Sequence, residues 1–491
     1  MRVLLLAILA LAIITPIGMS DVFGEFVHDS LCNTLKHIPS NSWKLFLCST
    51  VEINEDTLGI TLVENARFGD SVANIGDLDL DGVNDLAVGS KRDHGGGPDR
   101  GAVYIFFMNT DGSVKSTAKI DDTTPNGPAL SNIDRFGDSI ANMGDLNGDG
   151  INDLAVGAVN DDTNSHNKSG GANWNAGAVH ILFLNRDGTL ARATAVINDF
   201  TTNGPVLAEG DAFGMGVANI GDLDGNGYDD LAASAMLDDN QFDTGNRGAV
   251  HILFMDENGG LAKATETIDG TTTNGPTLGN GYWFGGSVAN IGDFDGNGVD
   301  DLAVGANLSL GGGSVATGAV YILFMDEDPG NGLAKATVVI DGTTTNGPTL
   351  SDDDRFGASV ANMGDMDGNG VNDLAVGARG DESYTGAVHI LFLNEGGSVD
   401  STIEINGSTD KGPTLSAGDS FATGLAHIGD LNGNGVNDLV VGADRDNGDN
   451  EDVGAVHILF LTDEIEKEEH KPQGGPCGQY SDCIKPSIVN H

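Results

Sequence analysis

The sequence predicts an all-β protein, a β-propeller of six four-stranded blades. An Asp-rich loop, which reads Asp77-Leu-Asp79-Leu-Asp81-Gly82 in its first copy, recurs six times. The copies follow one another at a period of about 70 residues, a spacing typical of propellers and repeat arrays. The segments that flank the loops are short and apolar on both faces, as strands between neighbouring sheets must be. Radial closure of such units also hides the strand edges.

Each repeat offers four strands in a fixed order. A Phe-Gly strand precedes the loop, a Leu-Ala-Val-Gly strand follows it, a Gly-Ala-Val strand such as 318–324 is third, and an outer strand such as 336–340 is last. The phenylalanine lies nine residues before the loop in all copies: Phe68, Phe136, Phe213, Phe284, Phe356 and Phe421. The connection between the second and third strands varies in length, which marks it as a free loop.

The N-terminal part of the repeat region supplies a strand that the C-terminal part lacks. After the last Gly-Ala-Val strand, residues 454–461, the chain enters an acidic tail without an outer strand. Residues 49–55 resemble the outer strand and turn at 264–270. We therefore predict that the N-terminal strand completes the last blade and closes the ring.

The repeated loop has the composition of a site for a hard cation such as calcium. Oxygen side chains at positions 1, 3, 5 and 9, with the main-chain carbonyl of position 7, can surround an ion of that size, and glycine at position 6 permits the sharp turn. The predicted ligands are Asp77, Asp79, Asp81, Val83 and Asp85; Asp145, Asn147, Asp149, Ile151 and Asp153; Asp222, Asp224, Asn226, Tyr228 and Asp230; Asp293, Asp295, Asn297, Val299 and Asp301; Asp365, Asp367, Asn369, Val371 and Asp373; Asp430, Asn432, Asn434, Val436 and Asp438.

Two other interpretations of the loop are weighed against metal binding. An EF-hand requires a bidentate Glu at position 12 and flanking helices, whereas position 12 here is apolar, as at Val88 and Val156. A metal-free Asx turn uses the same residue types but needs fewer of them at fixed offsets. We therefore predict about six Ca²⁺ sites, with the sixth weakest because Asp430 and Asp438 are its only carboxylates at these positions.

Several further residues invite a functional interpretation. His180, His251, His389 and His457 share a strand position with Tyr104 and Tyr321, which predicts packed strand residues. Arg379-Gly380-Asp381 spells the tripeptide that integrins recognise, in a loop expected to be exposed. The long connection of blade two, 159–176, contains Trp174, an aromatic suited to an interface, together with Asp161, Asp162 and His166.

The Phe-Gly strand, the Asp-rich loop and the Leu-Ala-Val-Gly-Ala run together resemble the FG-GAP repeat of the integrin α-subunit propeller. The resemblance covers about residues 51–462. That propeller has seven blades, so seven remains the alternative to the six motif sets counted in this chain. The resemblance implies calcium at the hairpins on one face and partner recognition on the opposite face.

The termini are typical of an extracellular protein. Residues 1–20 resemble a signal peptide, with a retained membrane anchor as the alternative. Residues 21–48 form an N-terminal extension, 49–462 the propeller, and 463–491 a polar tail. Four cysteines, Cys32, Cys48, Cys477 and Cys483, fit an oxidising compartment, and any of three disulfide pairings is possible. We therefore expect a secreted or cell-surface protein that is not inserted in the membrane after signal cleavage.

Composition narrows the function class. The formal net charge of -50 makes nucleic acid and anionic membranes poor partners. No nucleophile stands beside a base at a singular position, so no catalytic residue is assigned. The sequence favours a non-enzymatic binding or adhesion module for an extracellular protein or glycan. A polysaccharide-active enzyme on a propeller scaffold and a structural cell-envelope protein are the alternatives.

Overall fold

A computed structural model describes residues 45–161, 175–238, 245–310, 316–326, 334–446 and 452–463. Its strands form six antiparallel sheets of four strands each. The prediction of a six-bladed propeller is therefore confirmed, and the seven-blade alternative is wrong.

Five blades are built from consecutive strands, in the order innermost to outermost. Their bounds are β2 (Phe68–Gly76), β3 (Asp85–Ser90), β4 (Ala102–Met108) and β5 (Val114–Ile120) in blade one; β6 (Phe136–Asn142), β7 (Leu154–Ala158), β8 (Ala178–Leu182) and β9 (Ala195–Ile197) in blade two; β10 (Phe213–Asn219), β11 (Leu231–Ala235), β12 (Ala249–Leu253) and β13 (Glu266–Ile268) in blade three; β14 (Phe284–Gly292), β15 (Asp301–Ala306), β16 (Ala319–Met325) and β17 (Ala334–Ile340) in blade four; β18 (Phe356–Gly364), β19 (Asp373–Ala378), β20 (Ala387–Leu393) and β21 (Val399–Ile405) in blade five.

Blade six joins the two ends of the repeat region. It consists of β22 (Phe421–Gly429), β23 (Asp438–Ala443), β24 (Ala455–Asp463) and, as its outer strand, β1 (Leu45–Ile53). Val51 lies opposite Ile458, and Ile53 opposite Val456, in an antiparallel ladder. Closure by the N-terminal strand is confirmed. The strand begins at Leu45, inside the segment that the sequence assigned to the extension, and buried Cys48 belongs to it.

Neighbouring blades are joined by one repeated backbone contact. The N–H of Phe136 in blade two donates to the carbonyl of Arg100 in blade one, at 2.9 Å, and Phe68 closes the ring by donating to Val453 of blade six, also at 2.9 Å. The following residue, Gly101, has φ +89°, and a Cβ there would lie 2.0 Å from the carbonyl oxygen of Phe136. The glycine of the Gly-Ala-Val strand is therefore required by the close approach of the next blade.

The innermost strands of the six blades pack side by side around a central channel. Each of the six phenylalanines is fully buried between blades. In the ranges that the structure describes, helix is confined to two short turns, α1 (Glu55–Leu58) and α2 (Asp381–Tyr384). Within the described residues, no helix has the length and apolar character needed to cross a membrane.

Closure by β1 predicts a crosslink and a stability loss. With the native cysteines replaced, Val51→Cys combined with Ile458→Cys should form a disulfide, because the two residues are directly opposite. Deleting 45–56 should lower the free energy of unfolding by roughly 5 to 9 kcal/mol, since Leu45, Leu47 and Ile53 lose their burial. Non-reducing mass spectrometry and denaturant unfolding measure the two effects.

The register supplies the control for the crosslink. Val456 lies opposite Ile53 and is therefore offset from Val51, so Val51→Cys with Val456→Cys should remain reduced. Equal crosslinking by both pairs, together with an unchanged stability after the deletion, would rule out closure by β1.

Candidate metal centres and the channel mouth

Each Asp-rich loop connects the first and second strands of a blade, so the six loops lie at the same end of the channel. In loop one, the carboxylate of Asp77 accepts the N–H groups of Asp81 at 2.9 Å and Gly82 at 2.8 Å. The same pair of bonds is made by the first aspartate of every other loop: Asp145, Asp222, Asp293, Asp365 and Asp430. The first carboxylate therefore folds each loop back over itself.

The ninth residue anchors the loop to the blade. Asp85 is buried and accepts the N–H of Leu78 in the loop at 2.9 Å and that of Met108 on β4 at 3.0 Å. Four further ninth-position carboxylates make both bonds: Asp230, Asp301, Asp373 and Asp438. Asp153 accepts the N–H of Leu184, just after β8, at 3.2 Å, while its buried Oδ2 has no hydrogen-bond partner.

The structure brings three carboxylates together in four of the loops. In each, single oxygens of the first, third and ninth residues lie within 4.8 Å of one another, close enough to share one cation. These groups are Asp77, Asp79 and Asp85; Asp222, Asp224 and Asp230; Asp293, Asp295 and Asp301; Asp365, Asp367 and Asp373. Two buried carboxylate oxygens have no hydrogen-bond partner: Oδ1 of Asp295 and Oδ2 of Asp153. A bound cation would supply the missing partner, so the donor set fits a metal.

Loops two and six are arranged differently. Asn147 of loop two points its amide nitrogen at Asp153, at 3.4 Å, and loop six has only Asp430 and Asp438 as carboxylates, beside Asn432 and Asn434. Neither loop forms a three-carboxylate group among the described residues.

Positions 5 and 7 are linked to each other in all loops. The residue at position 7 donates its N–H to the side-chain oxygen at position 5, as Val83 does to Asp81 at 3.0 Å. The same bond is made by Ile151, Tyr228, Val299, Val371 and Val436. Where position 5 is asparagine, its amide also donates to a carbonyl in or just after the third strand, in Asn226, Asn297, Asn369 and Asn434. Asparagine here therefore fixes the loop to its blade.

Position 8, which the sequence analysis did not single out, joins the loops to neighbouring blades. Asn84 of blade one donates to the carbonyl of Ile428 in blade six at 2.9 Å, and Asn152 of blade two donates to Ile75 in blade one at 3.0 Å. Asn372 and Asn437 make the corresponding bonds to blades four and five. Ordering a loop therefore also stabilises the contact with the preceding blade.

A residue on the outer strand changes the charge around the side chain at position 3 of the loop. Lys115 lies 2.5 Å from Asp79 and 2.7 Å from Asp81, and Lys335 lies 2.7 Å from Asp295. Both lysines precede the last Ile of their outer strand by five residues, a position that holds Asp400 in blade five. Burial raises the pKa of Asp367, and the charges of Asp365 and Asp400 add to the effect. The ammonium of Lys115 would compete with a cation for the carboxylates of loop one. Loop five has Asp400 in place of that lysine, so we expect loop five to bind calcium more tightly than loop one.

Burial also raises the pKa of the ninth carboxylates. The pKa is about 6 for Asp85 and Asp301, and about 7 for the others: Asp153, Asp230, Asp373 and Asp438. The backbone N–H donors oppose this effect without cancelling it. A metal ion must therefore displace protons near neutral pH.

At the opposite end of the channel, the repeat is broken by charged residues. The ammonium of Lys91 lies 2.7 Å from Asp70 and 2.9 Å from Asp138. Burial raises the pKa of Asp70 to about 8, with Lys91 acting against it and Asp138 adding to it. The corresponding residues of the other blades are Met215, Gly286, Ala358 and Thr423, so this cluster belongs to blades one and two alone.

Three more polar residues complete what we call the channel mouth: Asn307, Arg379 and Asp444. Asn307 is buried with its amide oxygen unpartnered, and the buried Nε of Arg379 has no hydrogen-bond partner. Asp444 pairs with Arg67 at 3.5 Å. Since Arg379 lines the channel and Gly380 is buried, the expectation of an exposed Arg-Gly-Asp loop is wrong.

The strand histidines are buried, as predicted. Each lies edge-on to a repeated phenylalanine, with ring centroids 5.5 Å apart for His180 and Phe136. His180 also lies 2.9 Å from Asp161. Asp162, His166 and Trp174 lie outside the described residues, as do Cys32, Cys477 and Cys483.

Comparisons with known proteins identify the repeat. A family profile described as "FG-GAP repeat" matches residues 213–253, 284–323, 356–391 and 421–459, which carry the first three strands of blades three to six. Similar proteins include Integrin alpha-PS5 of Drosophila melanogaster, 35% identical over 163 residues (33% of this chain, 15% of that protein), and Integrin alpha-IIb of Mus musculus, 32% identical over 227 residues (44% and 20%). The chain thus spans at most about a fifth of the length of these relatives.

A solved structure adds little to this. A DUF4221 family member from Bacteroides vulgatus aligns with 86% of this chain and 99% of its own at 11% identity. The TM-score of this alignment is 0.40.

The outer-strand charges predict a pair of opposite effects on cation binding. Lys115→Met should raise the calcium affinity of loop one by about two- to fivefold, and Asp400→Lys should lower that of loop five by a similar factor. Lys119→Met is the matched control, because Lys119 is on the same strand but pairs with Asp93 and Asp121. Calcium titrations followed at the amide signals of Gly82 and Gly370 report the two loops separately. Unchanged affinity in both loops would disprove the competition.

The raised pKa values predict a pH-dependent effect of calcium on melting. The unfolded carboxyl has a pKa of about 3.9, so the protons held by the fold stabilise it below about pH 4, and this stabilisation is lost as pH rises toward 7. In chelator, Tm should therefore rise from about pH 8 to about pH 5.5. The gain in Tm from calcium should shrink over the same range, because protons compete with the ion.

A pair of variants separates this effect from the acidity of the whole surface. Asp438→Asn should weaken the pH dependence in chelator, whereas Asp410→Asn, which removes one exposed carboxylate, should not. A calcium-induced gain in Tm that is equal at both pH values would contradict the assignment.

Proposed function

We propose that this six-bladed β-propeller, four of whose blades match the FG-GAP repeat, is an extracellular, calcium-stabilised binding module. In this proposal, calcium occupies the six loops on one face, and a protein or glycan partner binds the opposite face. Residues 1–20 would direct secretion, 21–48 and 463–491 would flank the propeller, and the cysteines would form disulfides in an oxidising compartment. The similarity to integrin alpha subunits supports an extracellular setting.

The contrast between the two faces carries the proposal. The loop face repeats the hydrogen bond to the first aspartate six times, so it has the regularity of a structural device. The channel mouth places Asp70, Lys91, Asp138, Asn307 and Arg379 at positions that other blades fill differently. Recognition of a particular partner requires such singular residues, and loops of variable length surround them.

Calcium is the ion favoured for the loops because every predicted ligand is oxygen and no sulfur or imidazole takes part. With the roughly 0.1 to 1 mM affinity of extracellular modules, about 1 mM calcium would stabilise by roughly 0.4 to 1.4 kcal/mol per site. Over six sites this would reach roughly 2 to 8 kcal/mol, comparable to the whole stability of a domain.

One specific observation favours a second function. Asp70 and Asp138 share Lys91 inside a cavity, and the raised pKa of Asp70 keeps a proton available near neutral pH. A pair of carboxyl groups, one of which acts as the acid, is the usual machinery of glycoside hydrolysis. A polysaccharide-active enzyme therefore stays the alternative to a binding module.

Binding through the channel mouth predicts a face-specific loss of affinity. Arg379→Gln should weaken binding to the strongest hit from a glycan and surface-protein array by about tenfold, because a charged donor is lost from a buried site. Arg186→Gln is the control, since Arg186 is exposed in the turn after the third strand of blade two, on the loop face. Melting curves of both variants, with calcium and with chelator, verify that the fold is intact.

The same experiment separates the candidates. Equal affinity of the Arg379→Gln variant and the parent would count against the channel mouth. Release of soluble products from an arrayed polysaccharide, abolished by Asp138→Asn, would favour the enzyme. Melting that is indifferent to chelator would refute structural calcium.

A further inference from the structure

Blade five contains a cluster of three potential metal ligands away from the Asp-rich loops. One nitrogen of His389 and one carboxylate oxygen each of Asp381 and Glu404 lie within 4.8 Å of one another. His389 is on β20, Glu404 is opposite it on β21, and Asp381 begins the turn α2 that follows β19. These segments, which follow one another in blade five, therefore meet at the end of the blade opposite its Asp-rich loop.

The imidazole of His389 has unmet hydrogen-bonding capacity. The residue is only 2% exposed, and both ring nitrogens are buried without a hydrogen-bond partner. A buried polar group normally has such a partner, because leaving one unpaired costs about 1 to 3 kcal/mol. A buried histidine without a partner, placed beside two carboxylates, is the arrangement expected of a cation-binding site.

In blades two and three, the histidine at the equivalent position has other polar neighbours. His180 pairs with Asp161 at 2.9 Å, and the residue opposite it on the outer strand is Val196. His251 lies 3.6 Å from Asp238, and its Nδ1 is 3.1 Å from the hydroxyl of Thr267 opposite. Blades five and six both place a carboxylate across from the histidine, Glu404 and Glu52 respectively. Among the described residues, only the blade-five histidine has two carboxylates with ligand atoms within 4.8 Å.

The second carboxylate is accessible and is not matched by a basic residue. Glu404 is exposed and accepts the amide of Asn406 at 2.6 Å, which leaves its other oxygen available. Asp381 is half-buried. Among the residues that the structure describes, no lysine or arginine forms an ion pair with Asp381 or Glu404. Two uncompensated carboxylates and a neutral imidazole make a site for a divalent cation.

We propose that Asp381, His389 and Glu404 form a site for a first-row transition metal ion, with zinc as the best fit. An imidazole ligand disfavours calcium, which takes oxygen donors, and suits zinc, copper and nickel. Zinc bonds of about 2.0 to 2.2 Å in tetrahedral geometry place the ligand atoms about 3.5 Å apart. The cluster needs to contract by only about 1 Å to reach this. The exposed side, at Glu404, leaves the fourth position to water or to a group of a partner.

Metal binding to this site is tested with the full-length protein in saturating calcium, which keeps the Asp-rich loops occupied. Titration with Co²⁺, followed by its visible absorption, and with Zn²⁺, followed by calorimetry, should reveal an ion that His389→Asn removes. Glu404→Gln should weaken its binding by at least about tenfold, because a charged ligand becomes neutral. His251→Asn should bind as the parent does, since that histidine has Thr267 in place of the second carboxylate.

The outcomes separate this site from other metal ligands in the chain. Loss of one equivalent of bound ion in His389→Asn but not in His251→Asn supports the site. The same stoichiometry, affinity and cobalt spectrum in His389→Asn and the parent would overturn it. Since Glu404 is exposed, Glu404→Gln should fold normally and tests the site even if replacing His389 destabilises the blade.

Discussion

The structure depends on one contact, made six times, between the first strand of a blade and the third strand of the blade before it. The N–H of the repeated phenylalanine donates across the interface, and a glycine stands where any Cβ would collide with the carbonyl of that phenylalanine. The same phenylalanine fills the space between the blades edge-on to a His or Tyr. The Phe-Gly and Gly-Ala-Val signatures in the sequence are thus two sides of one interface.

The Asp-rich loops extend this interface at one end of the channel. Their first carboxylate folds the loop, their ninth residue fixes it to its own blade, and an asparagine at position 8 ties four of them to the preceding blade. A cation that orders the loop would therefore strengthen the contact between blades as well as within them. At the opposite end, the side chains of the channel mouth differ from blade to blade, as the proposed binding face requires.

The repeat made much of the fold predictable from the sequence. The blade count, the strand order and closure by a strand that includes residues 49–53 all followed from counting motifs, since a missing strand at one end matched a surplus strand at the other. The start of that strand at Leu45 was not predicted. The spacing also predicted the three carboxylates that lie together in four of the loops. Lys115 and Asn84 were missed because their roles depend on residues 34 to 36 and 344 positions away. Arg379 and Asp381 were misjudged because the tripeptide they form suggested an exposed loop, whereas burial in blade five assigns them to two different clusters.

Calcium-dependent hydrogen exchange, measured by mass spectrometry across the whole chain, tests the coupling of metal to ring most directly. Adding calcium to the chelated protein should slow exchange in the six loops. It should also slow exchange at the ends of the first strands that receive the position-8 amides, near Ile75, Ile291, Met363 and Ile428. Protection confined to the loops would contradict coupling between blades. No change in any loop would contradict calcium binding itself.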